Sequence, residues 1–548
     1  MRRRRRRSLR LFIYPLFLVG LLCLALSGVG LLSLLDEEGT PQTTTNPERL
    51  VYGLTLLPSG FDPHFNQSAE LGIPFMSVYD TLVYRHPQTQ TFEPGLAQSW
   101  TISPDGRTYT FILKAGVTFH DGEPLTASSI AVNFDRIMDP AFGSQRARAL
   151  LGPSYRGYAL VDDLTFQIQM DEPYAPLLDG LSQVYLGIAS PLALANHTDG
   201  TYQWNQVGTG PYRVKEVVPG DRIVLERNPD YAWGPPFYAT DNPAPLPEVE
   251  FRFFVDAATR DDALQSGLVG IVGELPPVDA ELLLGNSAIR IYPEAIPGQP
   301  LQFIFNMQRS PTDDRSLRQA LIHATNRVAI VDAIFAGQSP AAYGPLSAVT
   351  PFYNPEVSAY YPFSQAEAER LLSLARVTDS DEDGRLERDG QPLELEMLVP
   401  PWGYIPEVAQ AIADQWDQLG ITVNITQVPT FPALLEAIES GAFHLVAEYS
   451  FGTDADLLRD YFSSSGPKNW GGYADPQVDE WLLQAARALD DTQRAQLYGA
   501  AQESIMQAAA ILPIRDYVNL NGASVELKGV IFSANGWWPL LPNFQWSD

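Results

Sequence analysis

Cysteine is nearly absent from this 548-residue chain: the single one, Cys23, lies in an apolar stretch near the start. The rest can form no disulfide, so its stability must come from core size, which ~500 residues can supply. Histidine is scarce too. The six residues are scattered without metal-ligand spacing, which speaks against a nickel site. Also missing are G-x-S-x-G, the P-loop, H-E-x-x-H and any paired cysteines. Isolated Asp/Glu pairs carry little weight in so acidic a chain, and an enzyme is not expected. Basic residues are outnumbered, 36 against 65 acidic, for a formal charge of −29. Seven arginines (Arg2 to Arg7 and Arg10) precede the apolar stretch, leaving 29 basic against 65 acidic, or −36, for the remainder. Such a body is repelled by nucleic acid and by anionic lipid, so no nucleic-acid partner is expected.

What is present is globular. Apolar residues make up 45% and aromatics 11%, a composition that packs rather than stays disordered. At ~150 residues per domain, the length implies three or so lobes.

The start of the chain reads as a membrane segment. Residues 1–10 are arginine-rich, and Leu11 to Leu35 follow without a charge. As a helix, 25 residues span ~37 Å, enough for a hydrocarbon core of ~30 Å. The arginines should stay in the cytoplasm, placing everything after Asp36 outside. Ala25-Leu26-Ser27 offers the alternative of a cleaved signal peptide, but its apolar region would usually end after ~7–15 residues. A lipid anchor on Cys23 is a third route, disfavoured by Leu22 before it and apolar residues after it. Residues 36–49, polar and rich in Pro and Thr, read as a linker.

Beyond the linker, strands and helices alternate. Tyr109 to Lys114, Thr165 to Gln169, Arg222 to Glu226 and Val249 to Val255 read as strands, and Thr126 as a helix start. Val408 to Leu419 is an amphipathic helix with Ala409, Ile412, Ala413 and Trp416 on one face, ended by Gly420. Ile421 to Val428 follows as an alternating strand. Pro476 to Leu489 and Thr492 to Ala509 form a helical pair, with Asp490 and Asp491 placed to cap the second. The alternation implies an α/β architecture.

Several pieces carry a family resemblance. Pro94-Gly95-Leu96-Ala97-Gln98-Ser99-Trp100 and the stretch from Arg107 to Ile130 (RTYTFILKAGVTFHDGEPLTASSI) open it. Phe61-Asp62-Pro63 stands ahead of these in the chain, and Gly208-Thr209-Gly210-Pro211-Tyr212, Asn228-Pro229-Asp230-Tyr231 and Asp314 to Ala320 follow in order. Gly472-Tyr473 through Arg494 closes it. Together they resemble the peptide/nickel class (family 5) of extracellular solute-binding proteins of ABC importers, across about Leu50 to Pro513. Read physically, these pieces are mostly scaffold. Gly208, Gly210 and Pro211 are expected to hold a turn of unusual φ, Asp121-Gly122 a tight turn, Trp100 the core, and His120 a turn or core position.

The resemblance implies a two-lobed periplasmic-binding-protein fold of class II with an extra inserted domain and a ligand cleft between the lobes. It maps lobe I to 50–66, 205–297 and 520–548, the insert to 67–204, and lobe II to 298–519. It implies an extracytoplasmic capture subunit, monomeric and membrane-tethered, that closes about a hinge on a peptide or similar small solute and delivers it to permease and ATPase subunits. An oligosaccharide-binding subunit, or a tethered sensor or chaperone on the same fold, are the alternatives.

Relatives that bind dipeptides place an arginine after a strand like Leu393 to Val399, but nothing basic stands between Met397 and Gln415 here. Their aspartate for the ligand ammonium corresponds to Ser450 or Phe451, with Asp454 a few residues on. Trp402, Tyr404, Tyr449 and Phe451 instead offer flat apolar faces for a longer peptide or a sugar ring, with ordinary core packing as the alternative. Phe65 is expected at the hinge-side wall, and Asn306 and Tyr343 as second-lobe contacts. One further loop, Asp379-Ser380-Asp381-Glu382-Asp383-Gly384, spaces its oxygens like the opening of an EF-hand. Gly390 replaces the bidentate Glu at position twelve. Asp379, Asp381 and Asp383 are thus either a solvated hairpin loop or a weak Ca²⁺ site; no other cofactor is expected.

Overall fold

The computed structural model describes residues 48–547 apart from 56, 59, 199 and 240–242. The expected membrane segment 11–35, with Cys23, the arginines before it and most of the linker, lies outside the described residues. Among the described residues no helix is long and apolar enough to cross a membrane.

Two sheets build two lobes. The seven-stranded sheet of lobe I runs Ile289–Ala295, Val518–Ser524, Ile271–Val272, Arg49–Leu54, Glu248–Phe253, Arg222–Arg227, Tyr212–Val218. Arg49–Leu54 is parallel to its neighbours on both sides, with Tyr52 opposite Phe251 and Ile271. The five-stranded sheet of lobe II runs Thr422–Gln427, Glu394–Val399, Leu445–Phe451, Gly298–Phe305, Ile511–Arg515. All eight residues of Gly298–Phe305 are buried, as a strand covered on both faces requires. Helix Ile405–Asp417 covers the other end of this sheet, packing on Thr422–Gln427 and Glu394–Val399. Ile405, Val408, Ala409, Ile412, Ala413 and Trp416 form its buried stripe, and the Trp416 indole donates to Thr325 Oγ1 at 3.0 Å.

Segment 67–204 carries a third, antiparallel sheet: Ala97–Ile102, Thr108–Leu113, Thr165–Met170, Tyr155–Asp162. Helix Ala127–Met138 lies beside it, started by a Thr126/Ser129 capping box. This segment has no separate interior. Tyr109, Phe111, Phe166 and Ile168 belong to the same buried cluster as Leu50, Leu225 and Phe251 of lobe I, whereas lobe II has a core of its own.

Gly208 and Gly210 correct the expectation of unusual φ, since neither has positive φ. What they provide is room: a Cβ on Gly208 would stand 2.1 Å from the Val78 carbonyl oxygen, and one on Gly210 2.5 Å from that of Ser77. His120 seals the same loop. Its Nε2–H donates to the Gly210 carbonyl at 2.9 Å, and Nδ1 accepts from the Gly208 N–H at 3.4 Å. Burial pushes its pKa down to about 4, so the ring is neutral at pH 7.

The chain crosses between the lobe sheets at two adjacent places, Ile296-Pro297 and Asp516-Tyr517. The Ile296 N–H donates to the Tyr517 carbonyl at 2.9 Å, tying the crossings together. Gly298, just past the first crossing, has φ +129, and a Cβ there would stand 2.1 Å from the Ser450 carbonyl oxygen. Gly298→Ala is therefore expected to destabilise the fold by about 3 kcal/mol, through backbone strain and overpacking together. Thermal or denaturant unfolding beside the wild type measures it; an unchanged midpoint contradicts the steric constraint.

Candidate ligand-binding site

Two adjoining cavities of about 250 and 650 Å³ lie between lobe II and the rest of the molecule. Both are lined by Arg146, Gln183 and residues 450–453, so they form one continuous cleft. The smaller is aromatic: Tyr84, Tyr185 and Phe237 on one wall, Trp537 and Trp538 from a C-terminal loop, Tyr449 and Phe451 from lobe II. Each polar ring on the first wall is fixed by its far end. Tyr84 Oη donates to Asp80 at 2.5 Å, Tyr185 Oη to the Ser68 carbonyl at 2.7 Å, and the Trp538 indole to the Ala69 carbonyl at 2.9 Å.

On lobe II, Tyr449 and Phe451 stand two residues apart on one strand, so their rings share a face, 5.0 Å between centroids. Tyr517 packs on both, at 4.6 and 5.2 Å, and Phe451 reaches Trp537 at 5.5 Å. The Arg515 guanidinium is sandwiched between Phe335 and Tyr517, 3.9 and 4.0 Å from their centroids. Glu448, beside this wall, accepts from Tyr461 Oη at 2.8 Å, which in turn accepts from Lys468 at 2.9 Å. Burial pushes the Glu448 carboxyl up to about 7.

A polar latch bridges the cleft. Arg85 pairs with Asp179 and donates to the Thr453 carbonyl at 2.7 Å, while Thr453 Oγ1 donates to Asp179 at 2.5 Å. Gln183 donates to the other Asp179 oxygen at 3.0 Å. Further along, the Ala175 N–H donates to the Ala486 carbonyl at 2.8 Å and Tyr174 Oη to Asp456 at 3.3 Å.

The expected contacts divide. Tyr449, Phe451 and Asp454 line the cleft. Asp454 differs from expectation in chemistry, because both its oxygens accept from Arg494 Nη2, at 2.8 and 2.9 Å, leaving no free charge for a ligand. Trp402 packs on the lobe II core, and the Tyr404 ring meets Phe335 at 5.6 Å; neither lines the cleft cavities. Their loop backs the same aromatic cluster, since a Cβ on Gly403 would stand 3.1 Å from the Tyr517 hydroxyl. Asn306 is used up by the backbone, donating to the Phe443 carbonyl at 3.0 Å and accepting from the Gln308 N–H at 3.1 Å. Tyr343 lies under the Arg327 guanidinium, 5.0 Å away. Phe65 lies outside the cleft, beside Phe142 in a separate cavity of about 810 Å³. Tyr84, Arg85, Arg146, Tyr185, Trp537 and Trp538 escape sequence reasoning. They stand singly or as a bare pair with no spacing rule, and only the tertiary fold gathers them.

In the acidic loop, carboxylate oxygens of Asp379, Asp381, Asp383 and of Glu387 lie within 4.8 Å of one another. Each residue also accepts a backbone N–H: Gly384 to Asp379 at 3.0 Å, Asp383 to Asp381 at 3.2 Å, Arg385 to Asp383 at 2.8 Å and Ser380 to Glu387 at 2.6 Å.

An α/β pair of lobes joined by two adjacent crossings around a single cleft defines a two-lobed binding protein. The model of the bacterial extracellular solute-binding proteins, family 5, matches residues 91–472, and the chain belongs to this family. Members are non-enzymatic binding components of ABC importers. The chain is 28% identical over 444 residues to the glutathione-binding protein GsiB of Escherichia coli strain K12, covering 76% of this chain and 79% of that one. It is 26% identical over 527 residues to the dipeptide-binding protein of the same strain, covering 91% and 94%. The structure of the periplasmic binding protein DppA from Helicobacter pylori in complex with the peptide STSA superposes with a TM-score of 0.74 at 24% identity, over 91% of this chain and 98% of that one. That likeness is one of fold.

Two outcomes are expected. Asp454→Asn should destabilise the protein by about 3–5 kcal/mol, because it strands Arg494 in the interior, while the folded fraction keeps its ligand affinity. Thermal unfolding and calorimetric titration check the two halves. A calcium titration to roughly 10 mM separates the two readings of the acidic loop: an unmoved melting temperature leaves it a solvated turn, and a raised one makes it a weak site.

Proposed function

We propose that this chain captures short peptides in the cleft and, as a monomer tethered through residues 11–35, presents them to the permease and ATPase subunits of an ABC importer. The observation that carries this is the cleft itself. Its walls come from both lobes, which are joined by two adjacent crossings and held across the opening by the Arg85–Asp179–Thr453 latch. A ligand touching both walls favours the closed arrangement by its differential affinity, which is how hinge closure is driven. Flat rings with fixed edges suit peptide side chains and backbone alike, and a cavity of about 650 Å³ lies within the range for small ligands. The printed names of the relatives, glutathione-binding and dipeptide-binding, point the same way. The rings would also stack on sugars, but Arg146, which lines both cavities without an ion pair among the described residues, favours a charged ligand over an oligosaccharide.

The test is native mass spectrometry of the full chain purified without denaturation from cells grown in rich medium. A retained mass that fragments as a peptide is expected. A retained oligosaccharide or chelate contradicts the peptide assignment, and co-purification with a signalling partner instead of a permease contradicts the import role.

A further inference from the structure

Among the described residues lobe II offers the ligand no free cation, and Asp460 is its one cleft-lining acid without an ion pair. The cleft-lining acids Asp454 and Asp456 are held by Arg494 and Arg459. Lys468 is spent on Tyr461, and the latch arginine Arg85 on Asp179. Arg146 is different. It lines both cavities and makes no ion pair among the described residues; its one polar contact is a long 3.5 Å approach to Gln183. Its Nε is a buried donor without a partner, and so is the indole Nε1 of Trp537, which lines the same small cavity. A buried donor left unpaired costs about 1–3 kcal/mol, so two of them on one cavity call for an acceptor from a ligand. The guanidinium lies 5.3 Å from the Tyr185 ring centroid.

We propose that the Arg146 guanidinium and the Trp537 indole N–H receive the ligand's terminal carboxylate. This rests on the peptide assignment above and specifies it: short peptides with a free C-terminus. The anchoring charge would then stand on the wall opposite lobe II, in place of the arginine after Val399 that the sequence lacks.

Calorimetric titration of the full chain with a panel of di- to tetrapeptides of alanine and phenylalanine, each also C-amidated or N-acetylated, tests it. For the best-bound member, amidation is expected to weaken wild-type binding roughly tenfold to a hundredfold, the worth of a charge-assisted hydrogen bond. Arg146→Gln should weaken the free peptide similarly and make amidation nearly silent, because both changes remove one interaction. Acetylation, which leaves the carboxylate intact, should not be coupled to Arg146→Gln. Wild type that binds free and amidated peptide equally overturns the anchor while the peptide assignment stands, and needs no variant to fold. Losses from Arg146→Gln and amidation that multiply also overturn it. Wild type that binds no member of the panel overturns the assignment and the anchor together.

Discussion

One buried carboxylate organises the wall on which the cleft is built. Asp80 is 1% exposed and has no ion-pair partner among the described residues. Tyr84 and Tyr231 donate to one oxygen, at 2.5 and 2.9 Å, and Thr209 and the Trp233 indole to the other, at 2.8 and 3.0 Å. Taking a carboxylate out of water costs several kcal/mol, and four short donors offset it. They come from chain positions far apart. The contact therefore fixes the Gly208–Tyr212 loop, the segment after Asn228 and the ring of Tyr84 with respect to one another. Tyr84 is the one that faces the cavity, so a support deep in the interior sets the angle of a ligand-facing ring.

That arrangement explains what could be read in the sequence and what could not. Thr209 and Tyr231 belong to conspicuous motifs, and both serve Asp80 rather than a ligand. Local patterns translate well. The stripe from Val408 to Trp416, the Thr126 start and the Asp490 cap all depend on neighbours within one or two turns, and they stand as expected. The glycines at 208 and 210 could be seen as important, but their reason is a close approach to the turn at Ser77-Val78, about 130 residues away, which φ-based reasoning does not reach. Asp454 shows the same limit. A lone acid beside aromatic residues looks like a ligand contact until Arg494, far along the chain, is found across from it. Arg146, Trp537 and Tyr185 leave no pattern at all, because a cleft collects single residues from separate segments. The expected membrane segment is an inference from the sequence alone, because residues 11–35 lie outside the described residues.

The two chain crossings and the latch divide the labour of closure. At the crossings the backbone is tightly specified, by Gly298 against Ser450 and by the pairing of Ile296 with Tyr517. On the far side of the cleft, Asp179 shares its oxygens among Arg85, Thr453 and Gln183. Arg85 and Gln183 stay with Asp179 when lobe II moves away, so opening removes the Thr453 contacts without stranding a charge. This is the cheap direction for a buried ion pair to be uncovered, since both partners remain together as water enters. A ligand need supply only a modest differential energy to hold such a latch shut.

The shared interior of lobe I and segment 67–204 has a consequence for how the molecule comes apart. Phe111 and Ile168 pack in the same cluster as Leu50 and Phe251. The segment therefore cannot melt, be excised or be grafted elsewhere without opening the lobe beneath it. Cooperative units follow contiguous cores rather than sheets. Although it has three principal sheets, the molecule should behave in a calorimeter as two units, and lobe II alone is free to fold or fail by itself.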